Sequence, residues 1–168
     1  MPEVHGRPAR LYVAGPMRGY KRFNFDAFEA AARALREAGY HVESPHELDL
    51  LHGFSPDGAV NVDADMRRTF IRRDVDHICD CDGIALLDGW KHSEGVRVEM
   101  AAAEFIGIPC EEVSVWLKWA KEAALAVESL AFKKPSASAT GQGEPTTGTP
   151  LTTGHALPPY GAPSSACP

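Results

Sequence analysis

Residues 83–109 run GIALLDGWKHSEGVRVEMAAAEFIGIP. The stretch opens on an unbroken apolar run from Ile84 to Leu87, with Gly83 before it and Asp88 and Gly89 after it. A run this short, without polar alternation, suits a strand buried on both faces at the centre of a parallel sheet. From Ser93 to Gly107 the spacing turns helical. At about 100° per residue, Val96, Ala103 and Ile106 gather on one side, flanked by Met100 and Ala102. Glu94, Arg97 and Glu104 take the other side. Glu99 falls inside the apolar sector, between Ile106 and Ala103. A buried strand that feeds a helix carrying an inward carboxylate decides the fold and poses the functional question.

The same alternation extends in both directions. RLYVAG, residues 10–15, is a short buried strand ended by glycine. NFDAFEAAARALREAG, residues 24–39, is a helix with Asn24 as N-cap, a stripe of Phe25, Phe28, Ala32 and Leu35, and Gly39 closing it. YHVES, residues 40–44, is a second strand, stopped by Pro45. The polar, glycine-containing segment from His46 to Asn61 is expected to be a mobile loop. Helical spacing returns in DADMRRTFIRRDVDHICDCD, residues 63–82, with Met66, Phe70 and Ile78 inward. IPCEEVSV, residues 108–115, holds a short strand, and VWLKWAKEAALAVESLAF, residues 115–132, a last helix with Trp116, Trp119 and Ala123 as core or interface anchors. Strands alternating with helices imply an α/β fold: a doubly wound parallel sheet of four to five strands, covered on both faces.

Composition bounds the rest. The chain of 168 residues is 44% hydrophobic, enough for one domain with a core. No apolar run approaches the roughly 18 residues that span a bilayer, and MPEVHGRPAR lacks the apolar middle of a secretory signal, so a soluble cytoplasmic protein is expected. The net charge of −6 argues against a duplex-binding surface. The four cysteines form no CxxC pair and no zinc spacing, and His46 and His52 have no partners nearby, so no metal is expected. From Lys134 the text is rich in Pro, Gly, Ser and Thr, with too few large apolar groups to offset the entropy of ordering. The expected organisation is an N-terminal extension over residues 1–9, an α/β domain over 10–132 and a disordered tail over 133–168, whose role the sequence leaves open.

Ligands of such folds bind at the carboxyl ends of strands. Two loops open on that edge, AGPMRGYKRFNF after the first strand and DGWKHSEG after the third. In the first, Gly15 and Gly19 let backbone approach a ligand, and Arg18, with Lys21 and Arg22 nearby, can grip a phosphate through paired hydrogen bonds. In the second, Ser93 and Gly95 start a helix whose free N–H groups favour an anion, provided Glu94 points away. Glu99 lies about one and a half turns inside that helix and leans back toward the pocket. A carboxylate held dry there suits attack on an electrophile such as a sugar anomeric carbon. A second carboxyl is then needed to protonate the leaving base. Asp74 is the first choice, with Asp76, Asp82 and Asp88 as competitors. Asp88, at the strand's end, can equally hold loop backbone or substrate.

At these residues the sequence resembles the nucleoside 2-deoxyribosyltransferase superfamily, whose members exchange bases on deoxyribose or cut the N-glycosidic bond of nucleoside 5′-monophosphates. AGPMRGY, NFDAFEAAARALREAGYHVESPHELD and RRDVDHICDCDGIALLDGWKHSEGVRVEMAAAEFIGIP look like an uncharacterised phage and bacterial branch usually placed there, and the resemblance covers roughly residues 10–112. It implies a Rossmann-like or flavodoxin-like fold, a nucleotide or nucleoside substrate, no cofactor and a homodimer or higher homo-oligomer. By position, Glu99 matches the nucleophilic glutamate, Asp74 the aspartate of an RDL-like motif, and Tyr12 an active-site tyrosine on the first strand. Arg18 and Ser93 match phosphate contacts of the monophosphate hydrolases. Ser93 stands where the transferases carry an aspartate, which favours a 5′-phosphate. Pro16 replaces a phosphate-binding serine and Arg97 a small residue. The implied activity is hydrolysis or base exchange through a glycosyl-glutamate ester; the alternative is a nucleotide-binding module without catalysis.

Overall fold

The computed structural model describes residues 3–4, 6–58 and 62–132. A short antiparallel hairpin, β1 (Glu3–Val4) and β2 (Arg7–Pro8), leads into β3 (Arg10–Ala14). Then follow α1 (Phe25–Glu37), β4 (His41–Glu43), α2 (Pro45–Leu51), α3 (Ala64–Cys79), β5 (Gly83–Leu86), α4 (Glu94–Ile106), β6 (Cys110–Glu112) and α5 (Val113–Phe132). Strands β3 to β6 form a four-stranded parallel sheet in the order β4-β3-β5-β6. The chain thus starts near the middle of the sheet, moves out to one side and returns to the other. The switch point lies between β3 and β5. The described helices include none long and apolar enough to cross a membrane. The expected tail lies outside the described residues.

Alternation along β3 sorts the core into two layers, because successive strand side chains point to opposite faces. Leu11 and Val13 join Phe28, Leu35, Tyr40 and Trp116 under α1 and α5. Tyr12 and Ala14 join Ile78, Val96 and Ala103 under α3 and α4. Every residue of β5 is buried, as its apolar run requires.

Trp116 fastens α5 to the sheet. Its indole Nε1 donates to the Ile84 carbonyl at 2.9 Å, and its own carbonyl accepts from the Tyr40 hydroxyl at 2.8 Å. The ring occupies the space a side chain at position 83 would need: a Cβ on Gly83 would lie 2.6 Å from Trp116 Cη2 and 3.1 Å from the Pro109 carbonyl oxygen. Gly83→Ala is therefore expected to destabilise the fold by about 1–3 kcal/mol through overpacking. Urea denaturation measures this, and a loss below about 0.5 kcal/mol would show that the ring moves freely.

Three expectations change. The segment after Pro45 is not simply a loop: residues 45–51 form α2, with Pro45, His46, Leu48 and Asp49 buried. Proline stops a strand, but it also suits the first turn of a helix, where its missing N–H has no intrahelical role. Asn24 does not cap α1 through its side chain. It adopts a left-handed conformation, and its Nδ2 donates to the Pro16 carbonyl at 2.9 Å. Ile106, expected inward, is 41% exposed, because α4 ends there and the chain reverses at Gly107. Of the expected core or interface anchors, Trp116 is buried, and Trp119 is partly covered where it meets Trp116 edge-on.

Candidate functional site

The site is assembled from β3, α3 and α4, with a contribution from α2. Ser93 starts α4: its hydroxyl accepts from the Val96 N–H at 3.3 Å. About one and a half turns of helix then place Glu99 on the same buried face as Val96 and Ala103. Glu99 keeps 7% of its surface, and its Oε2 is sealed from solvent without a hydrogen bond. The Tyr12 hydroxyl, from the middle of β3, is sealed and unpartnered in the same way. Each feels the other, yet the two groups are not aligned in a well-formed hydrogen bond. Burial, then the nearby Asp74 charge, pushes the Glu99 pKa up to about 8, outweighing the Tyr12 hydroxyl and Arg73. Burial likewise holds the Tyr12 phenol well above its ordinary range, with Glu99 and Asp74 acting in the same direction. At neutral pH Glu99 holds a proton.

Asp74 faces inward from α3 and receives two bonds on one oxygen: Arg73 Nε at 3.0 Å and Nη2 at 2.7 Å both donate to Oδ1. The remaining Nη1 donates to Asp49 Oδ1, on α2, at 2.8 Å. Asp49 is 3% exposed. One guanidinium therefore serves two buried carboxylates, and it also rests 5.3 Å from the Phe70 ring centre. Burial raises the pKa of both Asp49 and Asp74 despite Arg73. Burial alone would lower that of Arg73, but Asp74 and Asp49 more than offset it.

The structure separates the four candidate aspartates. Asp76 and Asp88 are exposed. Asp82 stands before β5, at the opposite edge of the sheet, held by the Arg7 guanidinium and the Arg10 N–H. Asp74 alone of the four joins Glu99 and Tyr12. The expected anion rim is placed differently. Glu94, expected to point away, pairs with Arg18 at 3.5 Å, and both side chains are largely exposed. Gly19, with φ of +84°, borders open space, and a Cβ on Gly95 would meet the Ser93 hydroxyl at 3.8 Å. Gly15 leaves room for a side chain rather than for a ligand, since a Cβ there would lie 2.7 Å from Leu87 Cδ1.

Sequence reasoning missed Arg73 and Asp49. The adjacency of Arg73 to Asp74 was visible, but not that a helix over residues 45–51 would bring Asp49 to the same guanidinium. It also missed the strained turn at residues 22–24. Arg22, Phe23 and Asn24 all have positive φ, 48°, 51° and 63°, a conformation costly for residues other than glycine. The Arg22 Nε–Asp57 contact at 2.7 Å and the Phe23–Phe54 ring contact at 5.1 Å lock that turn to the segment after α2. Two hollows open elsewhere on the surface, one along Arg7, Arg10 and His41, the other along α4 and Trp90. Among the described residues no group of three or more His, Cys, Asp or Glu is arranged to hold a metal ion.

Fold and site together define a doubly wound α/β protein with a buried carboxyl cluster beside its switch point. The chain belongs to the family described as Domain of unknown function (DUF4406), whose model matches residues 9–112. That span holds the whole cluster and ends at the last strand, leaving α5 outside. No curated protein matches the chain.

Proposed function

We propose that this protein cleaves or exchanges the N-glycosidic bond of a (deoxy)nucleoside 5′-monophosphate. The observation that carries this reading is the Glu99 carboxyl, buried with an unpartnered oxygen next to Asp74 and Tyr12. Two carboxyl groups whose environments differ are the equipment of a retaining glycosidase. The proton that Glu99 holds at rest moves within the pair to Asp74, and the ionised Glu99 attacks C1′ from the face opposite the base. The C1′–N bond breaks, its electron pair goes to the base nitrogen, and Asp74, in its protonated form, supplies the proton. Asp74 then takes a proton from water as that water attacks C1′, the ester bond breaks, and Glu99 leaves as carboxylate. A second base in place of water gives transfer. Arg73 returns Asp74 to one geometry in each step. Arg18, Ser93 and the amino end of α4 are the groups available to a 5′-phosphate.

A second reading, a nucleotide-binding module without catalysis, is favoured by the exposure of Arg18 and Gly95 while Glu99 and Tyr12 are closed off. One screen separates the two. The protein is incubated with nucleosides and their 5′-monophosphates, and free base is detected by chromatography. Base release from a monophosphate is expected, and added free base distinguishes hydrolysis from exchange. Thermal stabilisation by nucleotides without any product would favour the binding module and sink the glycosidase.

A further inference from the structure

The face of α4 turned away from Glu99 carries apolar side chains that the rest of the described chain leaves open. Phe105 is 92% exposed, Val98 49%, and Ala101 between them is exposed as well. Spaced by three and four residues, they form one seam along the helix. Arg97 and Glu104 each precede a seam residue, so both lie on the same flank. Both are exposed, and neither has an ion pair among the described residues. The opposite flank carries Gly95 and Ala102, without charge.

We propose that α4 is the contact surface between two copies of this chain, packed antiparallel about a two-fold axis. The charges choose this occupant and this direction. When a two-fold axis reverses one helix against its copy, each flank of the seam meets the same flank of the other copy. Arg97 of one copy then faces Glu104 of the second, and the pair occurs twice. In a parallel pair the charged flank would meet Gly95 and Ala102, and both charges would stay unmatched. The antiparallel register puts the crossing beside Ala101, whose small side chain lets the helices approach. Each Phe105 then packs beside Val98 of the other copy. A hollow of ≈ 610 Å³, between Trp90 and the flank carrying Arg97, Met100 and Glu104, lies beside the seam and is roofed by the second copy. The surface does not depend on the glycosidase reading.

Sedimentation velocity on the full chain tests it. The wild type is expected to sediment as a dimer at micromolar concentration, and Phe105→Glu as a monomer with unchanged circular dichroism. Arg97→Glu and Glu104→Arg should each weaken the dimer at least about tenfold, and the double variant Arg97→Glu/Glu104→Arg should restore it. The charge variants sit on the surface, so they remain informative should Phe105→Glu fail to fold. A wild-type monomer, a dimer indifferent to Phe105→Glu, or a double variant no tighter than the singles each overturns the proposal.

Discussion

Glu99→Gln is expected to abolish base release and, at the same time, to stabilise the protein above neutral pH. Gln keeps the size of the side chain but cannot attack C1′, so the rate should fall by at least about a thousandfold, as when a covalent nucleophile is removed. Stability moves the other way because Glu99 is buried without a partner for Oε2. Its pKa rises from 4.5 to about 8 on folding. A carboxyl raised in this way stabilises the folded state fully below the unfolded value. That contribution is lost as pH climbs toward the folded value, because the unfolded chain releases its proton first. The span corresponds to roughly 3–5 kcal/mol between about pH 4.5 and pH 8. Buried Asp49 and Asp74, also raised, tilt the profile the same way. Tm against pH should therefore fall across this window in the wild type and fall less in Glu99→Gln. The rate should fall as pH climbs past about 8, where the pair loses the one proton it shares. Wild-type turnover in the variant rules out the covalent mechanism, and parallel stability profiles rule out the buried-acid account.

Arg73→Met should cost about 3–5 kcal/mol at pH 7, because it leaves Asp49 and Asp74 buried without their shared cation. All three side chains are largely shielded from solvent, at 14% exposure for Arg73, 5% for Asp49 and 10% for Asp74, so water does little to soften the loss. The penalty should shrink toward pH 4, where the aspartates can take up protons instead. Arg73→Lys keeps the charge but not the fork that reaches both oxygens at once, so an intermediate loss is expected. Urea denaturation at pH 4.5 and pH 7 measures both variants. A loss below about 1 kcal/mol at pH 7, or one that ignores pH, would show that the two aspartates do not depend on this guanidinium.

Much of the fold was legible because its signals are local. Leu11 to Ala14 and Ile84 to Leu87 are apolar runs of strand length, and the stripe of Phe25, Phe28, Ala32 and Leu35 has helical period; all of these residues are buried as expected. The short helix after Pro45 was not legible. Its burial comes from packing of His46 against Phe25 and Phe28 and from the bond between Asp49 and Arg73, partners distant in the chain. Nor did periodicity show that Ile106 and Phe105 would lie open, since that depends on what the rest of the chain fails to cover.

The sequence by itself determined that a carboxylate points inward. Helical spacing fixes the direction of Glu99 relative to Val96 and Ala103, and the strands around it fix where that face must go. Only the tertiary structure decided which second carboxyl stands there. Asp74 was the first choice in the sequence and Asp76, Asp82 and Asp88 competed with it; which of them reaches Glu99 turns on which helix face meets the sheet and which edge of the sheet each residue reaches. The tertiary structure also decided the protonation state. Desolvation and charge coupling act through space, so the pKa of Glu99 depends on Asp74, Arg73 and Tyr12, which no window of sequence holds together.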